Sequence, residues 1–554
     1  MKNTIKLYKC LSSKETKQAI FVLFLSLIAT FAELISIGAI VPLISIALDK
    51  ETSFVDNLFP WIELNYKMEY STFIVFFIIT LFISYGLRFF FLWKQNKVAY
   101  NIGHNLCIKV FNGICENSFS TVNNKPSDYY VTTVTVKLAA VIEGLIVPLF
   151  SIMSSLILLT IIFITIFWAG GSLALLLLGL ISLIYFFIMF LFRKSLRRYS
   201  VLINKGYEKM SRLALTTKAG YREWKLYRAQ NFLNNQFSFI TKNTLSANAS
   251  ARILSSSPRL IIEPILISLV LIGVFFLTDY EKISDFFPAI AAGAFALQRF
   301  MPYMQAAFAG WTYIKSNEEA VSEFLLQINK QRNSISFHQD NFNKKQIKGN
   351  VSFSNLTFGY DTKKTIFKNF NLKIEKGKFV AIVGPSGSGK STFVNLLLGF
   401  LEPLEGKILP GNICLKKKGT SYVPQEIFIF QGSIIENISL DKIENSNFLR
   451  AKHVIEIVEL NDWLNTFDNS LNHELNQDGV GMSGGQRQRL GIARALYQEP
   501  KILVLDEATN ALDNYTETKV LKNLFQFCKS KNITVVFVTH KEKPIDYCDF
   551  TIRM

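Results

Sequence analysis

Long apolar runs fill residues 19–312, and nothing else in this chain constrains its fold as strongly. Six stretches stand out: 19–48, 71–93, 138–168, 172–192, 259–278 and 286–312. At 1.5 Å of rise per residue, each is long enough to cross a hydrocarbon core of roughly 30 Å as a helix. A hydrophobic content of 50%, including 49 Phe, fits a chain partly in lipid. The remainder reads as soluble α/β. The expected organisation is an all-α membrane domain of six transmembrane helices over 1–320, a linker over 321–348, and an α/β P-loop ATPase domain over 349–554.

Charge orients the first part. Residues 1–18 carry Lys2, Lys6, Lys9, Lys14 and Lys17 against Glu15, whereas 49–69 carry Asp49, Glu51, Asp56, Glu63 and Glu69 against Lys50 and Lys67. The positive-inside rule places the N-terminus in the cytoplasm. An even number of spans returns the chain there, so both termini are expected on that side. The first apolar run is too long for a signal-peptide core and has no small-residue cleavage site after it. The net charge of +18 then reflects cytoplasmic lysines and arginines, and no nucleic-acid-binding motif accompanies it. The six cysteines form no CxxC pair and fall on segments assigned to the cytoplasm, where disulfides are not expected. The five histidines are scattered and suggest no metal cluster.

Connection lengths add detail. AGGS, Ala169–Ser172, is a tight outer hairpin, while 94–137 and 193–258 are long, polar and helix-like. They read as transmembrane helices continuing into the cytoplasm, turning near Asn124–Asp128 and Ala219–Lys225, with tips that meet the ATPase domain. Ser53–Lys67 has an apolar side (Phe54, Leu58, Trp61, Ile62, Leu64) suited to lying at the headgroup level. Charges in apolar spans are costly and usually functional. Glu33, Glu143, Arg88, Arg259 and Arg299 are such residues. Facing one cavity, the arginines would form a cationic belt able to bind phosphate through directed hydrogen bonds.

The second part carries the chemistry. Phe379–Gly384, FVAIVG, is a strand ending on glycine; PSGSGK and the helix STFVNLLLGF follow. That strand–loop–helix order is the context a phosphate-binding loop requires. Gly384, Gly387 and Gly389 let the backbone wrap phosphates, in a run that also includes Pro385, Ser386, Ser388 and Thr392. Lys390 reaches the β- and γ-phosphates of ATP, Ser391 holds Mg²⁺, and the helix N-terminus adds its dipole. KILVLDE ends a buried strand on two carboxylates: Asp506 on the Mg²⁺ side and Glu507 placed to polarise the attacking water. His540 ends TVVFVTH and would orient Glu507 and contact the γ-phosphate. Gln425, in YVPQE, can contact Mg²⁺ or the water, and Tyr360, in LTFGY, can stack on adenine. MSGGQ, Met482–Gln486, offers the backbone N–H groups of Ser483, Gly484, Gly485 and Gln486 to another phosphate. One chain already serves its own nucleotide with its P-loop, so this second turn implies a facing copy: a homodimer sandwiching two ATP. Asp513 lies close enough to the carboxylate pair to sit on that seam.

These motifs resemble those of the ATP-binding cassette transporters, in the order of an exporter-type half-transporter. The resemblance implies that Tyr360 stacks on adenine, Gln425 belongs to a coupling loop, Met482–Gln486 is the signature, and His540 is a switch histidine. It also implies an inner (cytoplasmic) membrane location in a bacterium. Two departures are visible: Gln477 stands where a glutamate often precedes the signature, and the chain stops at CDFTIRM, where relatives add a strand and a terminal helix. Within the family, the membrane part is similar to the flippase of lipid-linked oligosaccharides in bacterial N-glycosylation. That implies a polyprenyl-diphosphate-linked substrate met by Arg88, Arg259 and Arg299, alongside membrane lipids as partners. Export of a peptide or small hydrophobic compound is the alternative, and a regulatory membrane ATPase the third.

Overall fold

The computed structural model describes residues 2–38, 70–117, 119–123, 125–168, 172–276, 300–338, 351–361, 364–409, 419–468, 470–476 and 479–554. The chain divides into two compact units: Met1–Asn117 with Val122–Ser334, and Ser118–Thr121 with Ile335–Met554.

The first unit is helical. Its main elements are α1 (Ser13–Gly38), α2 (Tyr70–Glu116), α3 (Val147–Trp168), α4 (Ser172–Ala219), α5 (Gln230–Phe276) and α6 (Glu318–His338). At 47 residues, α2 is about 70 Å long, more than twice the lipid core, so much of it must extend into water. The helices turn back where sequence chemistry stops them. Pro126 has no N–H to continue a helix and sits just before the helix Ser127–Thr132. Gly220 separates α4 from the short helix Tyr221–Leu226, and Arg228, at φ 52°, precedes α5. Two π-helical turns, Thr133–Lys137 and Ile142–Ile146, interrupt the helix leading into α3.

The membrane count corrects the sequence expectation. Among the described residues four helical stretches are long and apolar enough to cross a bilayer, not six: Ser13–Ile35, Phe77–Glu116, Ser127–Ile164 and Gly179–Ala219. The expected fifth and sixth segments, 259–278 and 286–312, run into 277–299, outside the described residues, and what remains of them supplies no further span. The Ser53–Lys67 loop also lies outside them.

Two apolar clusters hold the unit together. Val22, Leu25 and Ala29 pack with Phe91, Val98, Ile102 and Leu106, while Leu158, Ile162, Ile181 and Tyr185 pack with Phe300 and Phe308. Large apolar side chains on the outside, such as Phe82, Phe89, Phe186 and Phe190, are at least 70% exposed, as a lipid-facing surface requires. A buried polar knot is also present. Lys137, 1% exposed, donates to Glu208 of α4 at 2.6 Å and to Glu323 of α6.

The second unit is α/β. Strands β1 (Val351–Asp361), β2 (Lys364–Ile374) and β4 (Glu405–Leu409) form an antiparallel sheet of order β2-β1-β4. Strand β3 (Phe379–Val383) and helix α7 (Lys390–Leu398) lie between β2 and β4 in sequence. They are followed by β5 (Thr420–Val423), α8 (Gly484–Tyr497), β6 (Ile502–Asp506), α9 (Asn514–Ser530), β7 (Thr534–Val538) and β8 (Phe550–Arg553). The five strands β8-β3-β7-β6-β5 pair in parallel. Both faces of this sheet are covered, which is why β3, β6 and β7 read as unbroken apolar runs rather than alternating ones. CDFTIRM is not a tail that stops short of a strand: Phe550–Arg553 is itself the strand beside β3.

Candidate functional site

Parallel sheets bind ligands beyond the carboxyl ends of their strands, and the predicted nucleotide residues gather there. The chain leaves β3 through Gly384 and enters α7 at Lys390. Gly387 and Gly389 have φ of 83° and 100°, a left-handed conformation that side chains resist. A Cβ on Gly384 would lie 2.6 Å from the Met554 carbonyl oxygen, so the start of the loop is pressed against the end of β8. Lys390, nearly buried, donates to the carbonyls of Gly384 (2.7 Å) and Pro385 (2.8 Å). Ser388 Oγ is buried without a hydrogen-bond partner among the described residues. Ser386 and Ser391 are exposed, and buried Thr392 meets the hydroxyl of exposed Tyr360 at 3.4 Å.

The acidic pair stands at the end of β6. Burial pushes the Asp506 carboxyl above the ordinary aspartate value, a rise that Glu507 reinforces and that the Tyr422 hydroxyl, Lys390 and His540 oppose. The Tyr422 hydroxyl donates to Asp506 at 3.2 Å. Glu507 adopts φ 51°, rare for a non-glycine residue and costly enough to need external support. Support is visible. Its N–H donates to the Val538 carbonyl at 2.9 Å, and its carbonyl receives Gln488 Nε2 at 3.4 Å. Three groups surround its carboxylate: Gln425 Nε2 at 2.7 Å, Asn510 Nδ2 at 2.8 Å, and His540 Nε2. Lys390, Gln425, Asp506, Glu507 and His540 therefore share one site.

Sequence reasoning missed Tyr422, Gln488 and Asn510. Gln488 is the clearest case. It reaches back from α8 to Glu507 and also accepts from the Ala511 N–H at 2.8 Å, so α8 braces both sides of the Glu507 turn. The QRQR run of polar residues held the signal, but only the fold shows which of them points inward.

The Ser483–Gln486 turn is built as a helix N-terminus. Gln486 N–H donates to Ser483 Oγ and the Ser483 N–H to Gln486 Oε1, a reciprocal capping box. Gly484 and Gly485 pack against Ala511 and Leu512. Among the described residues, no hydrogen bond joins this turn to Gly384–Thr392 of the same chain. Asp513 caps α9 by accepting from Tyr515 and Thr516, contacts that lower its pKa. Gln477 lies outside the described residues.

The membrane arginines fare differently. Arg88 meets the buried carboxylate of Glu33 at 3.1 Å and the Tyr303 hydroxyl, with its guanidinium 4.5 Å above the Tyr303 ring; Tyr303 in turn donates to Glu33. Arg259 pairs with Glu263 one helical turn on, at 3.1 Å. Glu143 accepts from Tyr100 at 3.0 Å. Arg299 lies outside the described residues.

Comparison with known proteins agrees with this layout. Residues 367–510 match the family described as ABC transporter, and 19–281 match the ABC transporter transmembrane region. The chain is similar to the lactococcin-A transport/processing ATP-binding protein LcnC of Lactococcus lactis, with 37% identity over 199 residues, 35% of this chain and 27% of that protein. It is also similar to the transport/processing ATP-binding protein ComA of Streptococcus pneumoniae, with 33% identity over 35% of this chain and 28% of that protein. A putative export ATP-binding/permease protein of Rickettsia typhi is 37% identical over 36% of each chain. The matched stretch thus spans only 27–36% of these relatives. The solved structure of a bacterial Atm1-family ABC exporter with ATP bound superposes with a TM-score of 0.75 at 20% identity, covering 98% of this chain and 94% of that one. At that identity the likeness is one of fold. The chain thus carries, in this order, stretches that match the transmembrane region and the ATPase domain of ABC transporters.

Proposed function

We infer that this chain, which carries the transmembrane region and the ATPase domain of an ABC exporter half-transporter, works as a homodimeric pump that exports a peptide or small hydrophobic compound at the expense of ATP. The observation that carries the reading is the site at Glu507, where a strained backbone aims one carboxylate among Gln425, Asn510 and His540 beside the P-loop lysine. In the proposed step Glu507 accepts a proton from water as the water oxygen bonds to the γ-phosphorus. The bond from that phosphorus to the β,γ-bridging oxygen breaks, leaving ADP and phosphate. The residues present suit the nucleotide: the glycines keep the loop open, Lys390 supplies positive charge, and Ser388 Oγ is a buried hydroxyl in need of a partner. Mg²⁺, which would neutralise phosphate charge, would be held by Ser391, Asp506 and Gln425. Tyr360 would stack on the adenine.

The dimer follows from the signature turn. The capping box occupies the Ser483 and Gln486 N–H groups and leaves those of Gly484 and Gly485 at the helix N-terminus for an anion; among the described residues the turn makes no hydrogen bond to its own P-loop, so it would serve the nucleotide of a facing copy. A mass in nanodiscs equal to one chain, with full transport-coupled ATPase activity, would refute this.

Peptide or small-compound export is favoured over lipid-diphosphate flipping for two reasons. The names of LcnC and ComA couple transport with processing, and the Rickettsia relative is named for export. A free cationic belt would suit a diphosphate, but Arg88 and Arg259 each face a carboxylate. The discriminating experiment is ATPase stimulation in nanodiscs. Peptides or small hydrophobic compounds should stimulate it; stimulation by a polyprenyl-diphosphate glycan alone would overturn the preference.

A further inference from the structure

Where the first turns of α1 pass the middle of α2, Lys14, Lys17, Gln18, Phe21, Lys94 and Val98 line a groove of about 290 Å³. We propose that this groove binds the phosphate of an anionic phospholipid headgroup from the inner leaflet. The first argument is charge. Three lysines from two helices rim one small space whose wall is mostly apolar, and among the described residues no ion pair neutralises any of them. The neighbouring carboxylate, Glu15, is buried and turned away, accepting from the Ser12 N–H and from Asn105.

The second argument is position. Lys14 and Lys17 stand in the first turns of α1, just before its apolar run, and Lys94 follows the apolar part of α2. The groove therefore sits at the boundary between lipid and cytoplasm. Phe21, Phe24, Phe89 and Trp93 are all more than 45% exposed on the membrane side of it, where acyl chains would lie. Lys94 lies 5.7 Å from the Phe21 ring and 5.9 Å from the Trp93 ring, the mix of cation and aromatic found at headgroup level. Basic pockets between transmembrane helices on this side are suited to lipid phosphates. A free phosphate offers the same charge without acyl chains to occupy that apolar flank. The chemistry thus points to a lipid held between the first two spans.

The test is native mass spectrometry of the full chain, comparing retained phosphatidylglycerol with phosphatidylcholine. Each basic residue near an anionic surface is worth roughly fivefold in binding. The Lys14→Gln, Lys17→Gln, Lys94→Gln variant should therefore lose on the order of a hundredfold of its preference for phosphatidylglycerol. The corresponding three arginine substitutions should retain it. A control with Lys407, Lys452 and Lys522 changed to Gln, all exposed in the ATPase unit, should also retain it, which excludes a mere change in net charge. Equal retention of phosphatidylglycerol by the groove variant and wild type would overturn the proposal. So would displacement of the lipid by inorganic phosphate at matching concentration, which would mark a site for free phosphate.

Discussion

Replacing Lys137 with Met should destabilise the membrane unit out of proportion to the size of the change. Met keeps the length of the side chain and removes its charge. Lys137 is 1% exposed, and its ammonium joins Glu208 of α4 to Glu323 of α6, with the Tyr129 ring 4.3 Å away. Removing one partner of a fully buried charge pair typically costs about 3–5 kcal/mol, because the other charge is left stranded. Here the two carboxylates keep 21% and 31% of their side-chain exposure, so water recovers part of that cost. The expected loss is about 2 kcal/mol, or roughly thirtyfold in an equilibrium constant. A membrane protein of this size unfolds irreversibly, so the quantity to measure is the rate of ATPase loss at a fixed elevated temperature. If the knot forms late in folding, nearly all of the effect appears in that rate. Lys137→Met should inactivate on the order of thirty times faster than wild type, and adding Glu323→Gln should recover part of the loss. Inactivation of Lys137→Met within about twofold of wild type would show that the three charges do not act as a unit.

Three further outcomes follow from the ATPase unit. Burial raises the Asp506 carboxyl, so without a bound cation its contribution to stability is present at low pH and is lost as pH rises through the raised value; Mg²⁺ needs the ionised form, so Mg²⁺ affinity should weaken on acidification sooner than for an ordinary aspartate, and Asp506→Asn should remove that pH dependence in a Mg²⁺ titration. Gln488→Leu should lower kcat by roughly ten- to a hundredfold while leaving ATP affinity nearly intact, because it loosens the Glu507 turn and touches no phosphate; an equal rise in the nucleotide Kd would refute a positioning role. Burial pushes the Cys528 thiol up to about 12, so maleimide should label it at pH 8 only when the domain is unfolded.

The ATPase half was largely legible because its signals are local. Eight consecutive residues, Gly384–Ser391, between an apolar strand and a helix leave few alternatives, and parallel strands buried on both faces announce themselves as unbroken apolar runs. Strand β8 escaped notice because Phe550–Arg553 is a short edge strand, half exposed and without such a run. His540 and Gln425 were legible as site residues, whereas Gln488 was hidden for another reason: it is 19 residues from Glu507, and no spacing rule connects them. Long separation also hid the partners of the membrane charges. Arg88 finds Glu33 across 55 residues, and Tyr303 reaches Glu33 across 270. Arg259 differs: its partner Glu263 is only four residues on, an i,i+4 pair that the local sequence already offers.

The most direct test of the central claim is ATP-dependent export itself. Inside-out proteoliposomes holding the purified chain should take up a substrate peptide or small hydrophobic compound when ATP is added. Glu507→Gln should bind ATP with near wild-type affinity yet lose both hydrolysis and uptake, since the amide keeps the shape and cannot accept the proton; a general base is worth about 10²–10⁴-fold. Uptake or hydrolysis by Glu507→Gln above about a tenth of the wild-type rate would contradict the account.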